Sequence, residues 1–238
     1  MKFFIISLLL SFHAMSWAQG SLLVIDTANH KVIHEQNANM VRPIASITKL
    51  MTAIVSLDLY NLNDKINLSK KQAVTVKELL TRLLVRSDNH AAEILAKNHP
   101  QGRNAFLQAM NNKAQTFNLK TTNFNDPSGL RSDNTSTALE VAVLATEASK
   151  YDFIRQVSAV PMVKNYSNTN FNLLKDFPNV LVSKTGFTTA AGRCLALLMD
   201  FKNSQYAIII LGEPTKNSRE DTARNLIQIG SINTVDAN

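Results

Sequence analysis

Runs of apolar residues at both ends of the chain predict β-strands. Near the N-terminus, two runs over 22–25 and 31–34 flank a turn at 26–30 and predict a β-hairpin. Toward the C-terminus, short turns separate further apolar runs, and a closing helix follows near 216–229. These later strands are predicted at 180–183, 194–199 and 206–211.

Between the two groups of strands, apolar positions follow a helical period. Leucines at positions 79, 80, 83 and 84 share one helix face, and similar segments are predicted at 89–98, 103–117 and 136–150. Short connections between the C-terminal strands imply antiparallel neighbours. We therefore predict an α+β fold in which an antiparallel sheet of about five strands, two N-terminal and three C-terminal, is flanked by helices. An all-helical lobe is expected over roughly 60–160.

The first eighteen residues have the pattern of a secretory signal peptide. A basic start precedes an apolar run over 3–12, and the small residues Ser16 and Ala18 stand at the −3 and −1 positions of a cleavage site. Cleavage would leave one exported domain over 19–238, without a transmembrane anchor and soluble or loosely associated with the wall or membrane. A retained N-terminal anchor is the alternative.

Net charge and residue composition indicate which classes of binding partner to expect. The net charge of +7 suits an anionic polymer such as the cell wall, or a membrane surface. The basic residues are scattered and not interleaved with aromatic residues, so nucleic acid is not expected. The single cysteine, Cys194, excludes an intramolecular disulfide and is interpreted as packing within a strand. No metal is expected, because the histidines form no recognised zinc pattern: His30, His34, His90 and His99.

A serine and a lysine three positions apart, Ser46 and Lys49, begin an apolar helix. Such residues lie one turn apart on the same face, so their side chains can share a proton. Ser46 also follows the extended segment 42–43 and stands near the positive end of the helix dipole. The S-x-x-K pattern is weak by itself, because an ordinary helix start with a solvated lysine produces it too.

Two further short motifs strengthen this interpretation. An S-D-N triplet at 87–89 lies between two helical patterns, and a K-T-G triplet at 184–186 closes a strand-like run. The order S-x-x-K, S-D-N, K-T-G is shared by penicillin-binding proteins and class A β-lactamases. A second S-D-N at 132–134 has no helix before it, so we prefer the triplet at 87–89.

The chain resembles the low-molecular-mass penicillin-binding proteins, the serine D-alanyl-D-alanine peptidases, over nearly all of its mature length. The similar stretches lie at 42–52, 86–89, 126–130, 136–138, 184–188 and 191–192. In sequence, these stretches are most similar to the D,D-endopeptidase branch of the family. The resemblance implies a β-lactamase/transpeptidase-like fold and a periplasmic enzyme that cleaves D-alanyl cross-links of peptidoglycan through an acyl-enzyme. It further implies that β-lactams bind, that penicillin inhibits the enzyme and that no cofactor is needed.

The resemblance also implies roles for individual residues. Ser46 would attack the D-Ala carbonyl, and Lys49, desolvated and next to the Lys184 cation, would serve as the base. Ser87 would relay a proton to the leaving amine, while Asn89 would bind the substrate backbone or hold Lys49. The substrate edge would be lined by Lys184, Thr185, Gly186 and Thr188, and the N–H groups of Ser46 and Phe187 would form the oxyanion hole.

Arg193 is a further candidate. It stands nine residues after Lys184 on the next predicted strand, where class A β-lactamases also carry a carboxylate-binding arginine. We hypothesise that its guanidinium binds the free carboxylate of a donor or inhibitor. A surface arginine at a strand start is the alternative.

Three other functions stay open. A D-alanyl-D-alanine carboxypeptidase would use the same acylation chemistry, although such members commonly add a C-terminal β domain and a membrane anchor, neither of which is expected here. A class A-like β-lactamase needs a water-activating glutamate, and the loop 121–134 contains none. A catalytically silent peptidoglycan-binding module would not need the intact motifs. Protein partners and oligomeric state are not predicted.

Overall fold

The computed structural model describes residues 20–69, 72–201 and 204–233. The predicted signal peptide over 1–18 lies outside these ranges. Within them, none of the helices combines the length and the apolar character that crossing a bilayer requires.

Eleven strands and eight α-helices are formed by the described residues. The strands are β1 (Ser21–Asp26), β2 (Val32–Gln36), β3 (Arg42–Pro43), β4 (Lys65–Ser69), β5 (Gln72–Thr75), β6 (Thr135–Ser136), β7 (Met162–Val163), β8 (Tyr166–Ser167), β9 (Val180–Thr188), β10 (Gly192–Phe201) and β11 (Ser204–Glu213). The helices are α1 (Lys49–Leu59), α2 (Val76–Val85), α3 (Asn89–Lys97), α4 (Gly102–Thr116), α5 (Ala138–Ser149), α6 (Asp152–Ser158), α7 (Phe171–Asp176) and α8 (Lys216–Asn233).

The central sheet has five strands in the order β2-β1-β11-β10-β9, and every neighbouring pair is antiparallel. The predicted α+β fold, with two N-terminal and three C-terminal strands in one sheet, is therefore confirmed. Strand β1 joins the two groups because it pairs with β11, with Ser21 opposite Leu211 and Asp26 opposite Tyr206. The other edge of the sheet is β9, the strand that contains the K-T-G triplet.

Both faces of this sheet are buried, which explains why its central strands are continuously apolar. In β11, Ala207 and Ile209 pack into the larger core, shared with the helical lobe, whereas Ile208 and Ile210 face a smaller core that includes Leu226 of α8. Alternate residues of a strand point to opposite faces, so a sheet covered on both sides needs apolar residues at every position.

The helical lobe contains α2 to α4 and packs beside α1. Two of its helices begin at well-formed N-caps: the Thr75 side chain accepts a hydrogen bond from Glu78 N, and Asp88 accepts from the N–H groups of His90 and Ala91. Such caps satisfy backbone donors that have no partner in the first helical turn. A small hairpin of β4 and β5 precedes α2, and the apolar pattern did not predict it.

Two boundaries differ from the sequence-based expectation. The K-T-G triplet lies inside β9, because pairing with β10 continues as far as Thr188 opposite Gly192. Ser46 lies in a short 3₁₀ helix, Ala45–Thr48, and the α-helix begins only at Lys49. A 3₁₀ turn is common at the start of an α-helix.

Candidate active site

The segment that carries Ser46 is fixed from both sides. Before it, Arg42 and Pro43 pair with β6, and the Ile44 N–H donates to the Asn134 carbonyl at 3.0 Å. Ala45 has a φ of +46°, a conformation that non-glycine residues rarely adopt. The chain therefore turns sharply just before Ser46, and the serine side chain stays partly exposed while its neighbours are buried.

The Lys49 side chain connects three parts of the fold. Its Nζ lies 2.9 Å from Ser46 Oγ, 2.7 Å from Asn89 Oδ1 and 2.5 Å from the carbonyl oxygen of Ser128. Because Lys49 is fully buried, these groups replace water around its amine. The predicted Ser46 and Lys49 pair is thus brought together, and Asn89 lies where it holds the lysine.

Burial lowers the pKa of Lys49 from 10.5 to about 7. The charges of Asp126 and Asp88 act in the opposite direction and raise it. Desolvation and the Lys184 cation were both expected to lower this pKa; in the structure the cause is burial. A lysine with this pKa is a substantial fraction neutral at pH 7 and can accept a proton.

Lys184 is the second buried lysine of the site. Its Nζ donates to Ser87 Oγ at 3.0 Å and to the Thr185 carbonyl at 2.9 Å. Burial, together with the charges of Lys49 and Arg219, holds the pKa of Lys184 well below its usual range. The structure therefore places Ser87 directly against Lys184, although the two are 97 positions apart.

Ser87 has a strained backbone. Its φ of +59° is unusual for serine and turns the chain sharply between α2 and α3. The next residue, Asp88, caps α3 and is bound by the Arg82 guanidinium through Nε at 2.9 Å and Nη2 at 2.5 Å. Arg82 was not predicted as part of the site, because its only signal in the sequence is its position on the helix that precedes the S-D-N triplet.

The competing S-D-N at 132–134 lies elsewhere. Ser132 is exposed and does not line the cleft at Ser46, while Asp133 pairs with Arg131 on the surface. Asn134 is buried and supports the loop that follows α4, where its side chain donates to Asp126 Oδ2 at 2.7 Å. The preference for Ser87 agrees with this geometry.

Strand β9 forms one wall of a cleft in front of Ser46. A Cβ added to Gly186 would lie 3.0 Å from both Ile44 O and Ser46 N, so a larger residue would require the strand or the Ser46 segment to shift. The Thr185 hydroxyl bonds to that of Thr169 at 2.7 Å, whereas Phe187 is half-exposed at the cleft. Thr188, expected at the substrate edge, instead accepts a hydrogen bond from Ala191 N in the β9–β10 turn and does not line the cleft.

The cleft has a volume of about 390 Å³ and a cationic end. Arg193 stacks on the Phe187 ring, with its guanidinium carbon 3.6 Å from the ring centre. Two cations of α8 that were not predicted, Lys216 and Arg219, also line the cleft, and the charge of Arg193 acts on Arg219. Within the described residues, the buried Nε atoms of Arg193 and Arg219 lack a hydrogen-bond partner. The cleft is lined by Ser46, Ser87, Asn89, Leu130, Thr169, Thr185, Gly186, Phe187, Arg193, Lys216 and Arg219.

Cys194 and His30 take no part in this arrangement. Cys194 is buried in β10, and burial raises the pKa of its thiol to about 11. His30 is exposed in the turn between β1 and β2. Over the three described ranges, no group of three or more His, Cys, Asp and Glu side chains is placed to hold a metal ion.

The chain belongs to peptidase family S11, described as D-alanyl-D-alanine carboxypeptidase, whose profile matches residues 10–63 and 56–215. It is 32% identical to the D-alanyl-D-alanine endopeptidase of Escherichia coli K12 over 92% of this chain and 80% of that protein. Its identity to the enzyme of the same name from Pseudomonas aeruginosa is also 32%, with the same coverage.

Solved structures agree with the family assignment. Penicillin-binding protein D2 of Listeria monocytogenes, in its cefotaxime-bound form, matches with a TM-score of 0.81 and 26% identity over 88% of this chain and 96% of that one. The predicted resemblance to penicillin-binding D-alanyl-D-alanine peptidases is therefore confirmed, and the chain is a serine peptidase of this class.

Proposed function

We propose that this peptidase is an exported D,D-endopeptidase that cleaves D-alanyl cross-links in peptidoglycan through an acyl-enzyme on Ser46, and that penicillin inhibits it by acylating the same oxygen. The observation that carries the proposal is the buried Lys49 amine, 2.9 Å from Ser46 Oγ. With a pKa lowered to about 7, the neutral amine takes the serine proton as Oγ attacks the substrate carbonyl.

The second proton transfer uses the other buried lysine. The leaving amine must gain a proton as the peptide bond breaks. Ser87 Oγ lies in the cleft and is held by Lys184 Nζ at 3.0 Å, so the hydroxyl can pass a proton to the amine. Lys184 supports this step because its donated hydrogen bond stabilises developing negative charge on the serine oxygen.

The substrate backbone has a matching strand. Strand β9 is an edge of the sheet and borders the cleft, so an extended stem peptide can pair with it along Thr185 and Phe187. The close approach at Gly186 brings the N–H groups of Ser46 and Phe187 near each other, where they can stabilise the oxyanion of the tetrahedral intermediate.

Arg193 supplies the proposed carboxylate contact. It lies at the cationic end of the cleft beside Lys216 and Arg219, and its stacking on Phe187 fixes the plane of the guanidinium. Arg193→Ala should weaken acylation by penicillin but not by its carboxyl methyl ester. Arg224→Ala is the matched control, because Arg224 lies on α8 and pairs with Asp176 away from the cleft. An unchanged rate with penicillin would remove this role.

The choice of an endopeptidase rests on the relatives. The endopeptidases of E. coli and P. aeruginosa are 32% identical and matched over 80% of their length, whereas the DacF carboxypeptidase of Bacillus subtilis is 28% identical and matched over 58%. Carboxypeptidase activity is the second candidate, since the family itself carries that description. A β-lactamase is disfavoured because the loop 121–134 has no glutamate to activate water.

Digestion of purified muropeptides tests the proposal. The mature protein should convert cross-linked dimers into monomers, and Ser46→Ala should not. Release of free D-alanine from pentapeptide monomers, with dimers intact, would make the enzyme a carboxypeptidase. If neither substrate changes and no penicillin adduct forms, the chain is a silent binding module and the proposal fails.

A further inference from the structure

We propose that Asp126 is a positioning residue for the general base: it fixes the Ser128 carbonyl against Lys49, and its negative charge acts on the lysine amine. This inference rests on the proposed function, in which Lys49 accepts the proton of Ser46. Asp126 lies in the loop between α4 and β6 and does not line the cleft. Its effect on the reaction would therefore pass entirely through other residues.

The Asp126 carboxylate is the centre of a tight turn. Oδ1 accepts hydrogen bonds from Ser128 N at 2.6 Å, Ser128 Oγ at 2.7 Å and Gly129 N at 2.7 Å. Oδ2 accepts from Arg131 N and Asn134 Nδ2, both at 2.7 Å. Asp126 itself is 4% exposed. Five donors on a buried carboxylate favour its ionised form and hold the turn in one conformation.

The turn contacts the catalytic centre at three places. The Ser128 carbonyl accepts from Lys49 Nζ at 2.5 Å, and the Pro127 carbonyl accepts from Thr52 Oγ1, about one helical turn further along α1, also at 2.5 Å. Gly129 packs against the peptide that joins Ala45 to Ser46. The turn that Asp126 holds therefore touches the base, its helix and the backbone of the nucleophile.

The Ser128 carbonyl decides the direction of the lysine lone pair. A neutral amine has two N–H donors and one lone pair, whereas the ammonium has three donors. Asn89 Oδ1 and the Ser128 carbonyl can only accept, so they take the two N–H groups of the neutral amine. The lone pair is then left facing Ser46 Oγ, where it is needed. If the Ser128 carbonyl moved away, the amine could rotate and lose this orientation.

Charge adds a second effect. The charged groups that act on Lys49 are Asp126 from this loop and Asp88 from the start of α3. The charge of Lys49 in turn lowers the pKa of Lys184 in β9. The charges of Arg103 and Arg131 also interact with that of Asp126. An anion near an amine favours the protonated form, so Asp126 raises the pKa of Lys49 while burial lowers it. Removing this anion should make Lys49 a weaker base.

The test is the pH dependence of Ser46 acylation by a fluorescent penicillin in wild type and three variants. Asp126→Asn should move the acid limb of the profile to lower pH by about one pH unit, since the base loses an anion. It should also lower the plateau rate by about 10- to 100-fold, since the amine loses its orientation. Asp126→Glu keeps the negative charge, so the acid limb of its pH profile should stay in place while its plateau rate falls. Asp133→Asn removes a charge from an exposed side chain of the same loop and should follow the wild-type profile.

The outcomes separate this inference from the proposed function. A purely structural role for Asp126 would lower the plateau of Asp126→Asn without moving the limb, and this result would overturn the inference. If Asp126→Asn does not fold, a wild-type plateau in Asp126→Glu would overturn it instead. If wild type itself forms no adduct that Ser46→Ala abolishes, the proposed function fails.

Discussion

The contact between Gly129 and the nucleophile segment gives a sharp prediction for Gly129→Ala. A Cβ at this position would lie 1.9 Å from the Ala45 carbonyl oxygen and 2.9 Å from Ser46 N. Both atoms belong to the backbone, so no side chain can rotate away. The turn and the 3₁₀ segment must separate by roughly 1.5 Å to restore normal contact distances.

Two effects destabilise Gly129→Ala, and they add. Gly129 has a φ of +83°, and alanine in the left-handed region costs about 1–2 kcal/mol. The overlap adds about 1–3 kcal/mol, typical of forcing extra atoms into a packed interior. Because the strain falls on the peptide that carries Ser46, a shift of about 1 Å at the reacting oxygen should slow acylation about 10²-fold.

Gly102→Ala is the matched control. Gly102 has nearly the same φ, +81°, but a Cβ there would meet no atom within 4 Å. Gly102→Ala should therefore lose only the stability that alanine costs at a positive φ, and it should acylate at the wild-type rate. Urea unfolding and stopped-flow acylation with a fluorescent penicillin measure the two effects. Equal stability losses in both variants, with normal acylation by Gly129→Ala, would refute the predicted contact.

Three further predictions concern the base, the thiol and the S-D-N turn. Acylation should slow about tenfold per pH unit below pH 7, because only neutral Lys49 accepts the proton and its pKa is about 7; a profile flat from pH 5 to 8 would contradict this. Cys194 should resist iodoacetamide in the native protein and react after unfolding, because the thiol is buried with a pKa of about 11. Mass spectrometry measures the alkylation, and rapid labelling of the native protein would contradict this prediction. Arg82→Ala should cost about 0.5–1 kcal/mol in urea unfolding and slow acylation, since Asp88 loses its ion pair beside Ser87; a wild-type acylation rate would exclude a positioning role for Arg82.

Much of the fold could be predicted because its determinants are local. The strands of the sheet are short apolar runs bounded by turn residues, and they appear at 22–25, 194–199 and 206–211 before any tertiary contact is considered. The small hairpin of β4 and β5 escaped prediction, since among the described residues of these two strands only Ile66 is buried. Without alternating burial, a strand leaves no periodic pattern.

The site was predictable in part for a different reason. Ser46 and Lys49 are neighbours on one helical turn, so their spacing alone implies contact. The approach of Lys184 to Ser87 spans 97 positions and depends on how β9 packs against the helical lobe. Arg219 comes from α8 and has no motif around it. Such residues become visible only when the folded chain brings separate elements together.

The lowered pKa of Lys49 was expected from desolvation and from the Lys184 cation, but the other groups that act on it needed the structure. Burial is the cause of the lowering, and the charges of two carboxylates, Asp126 and Asp88, oppose it. Burial of a side chain is set by the packing around it, and a sequence motif does not report that packing. The proposed role of Asp126 was hidden for the same reason, since it depends on how the turn packs against Lys49 and Thr52 of α1.

Mass spectrometry of the penicillin-treated mature protein tests the central claim most directly. We expect one covalent penicilloyl group per chain, located on Ser46 by peptide mapping and absent from Ser46→Ala. The adduct should form far more slowly in Lys49→Ala, since no base then faces the hydroxyl. An adduct on another residue, or none on a folded protein, would contradict the assignment of Ser46 as the nucleophile.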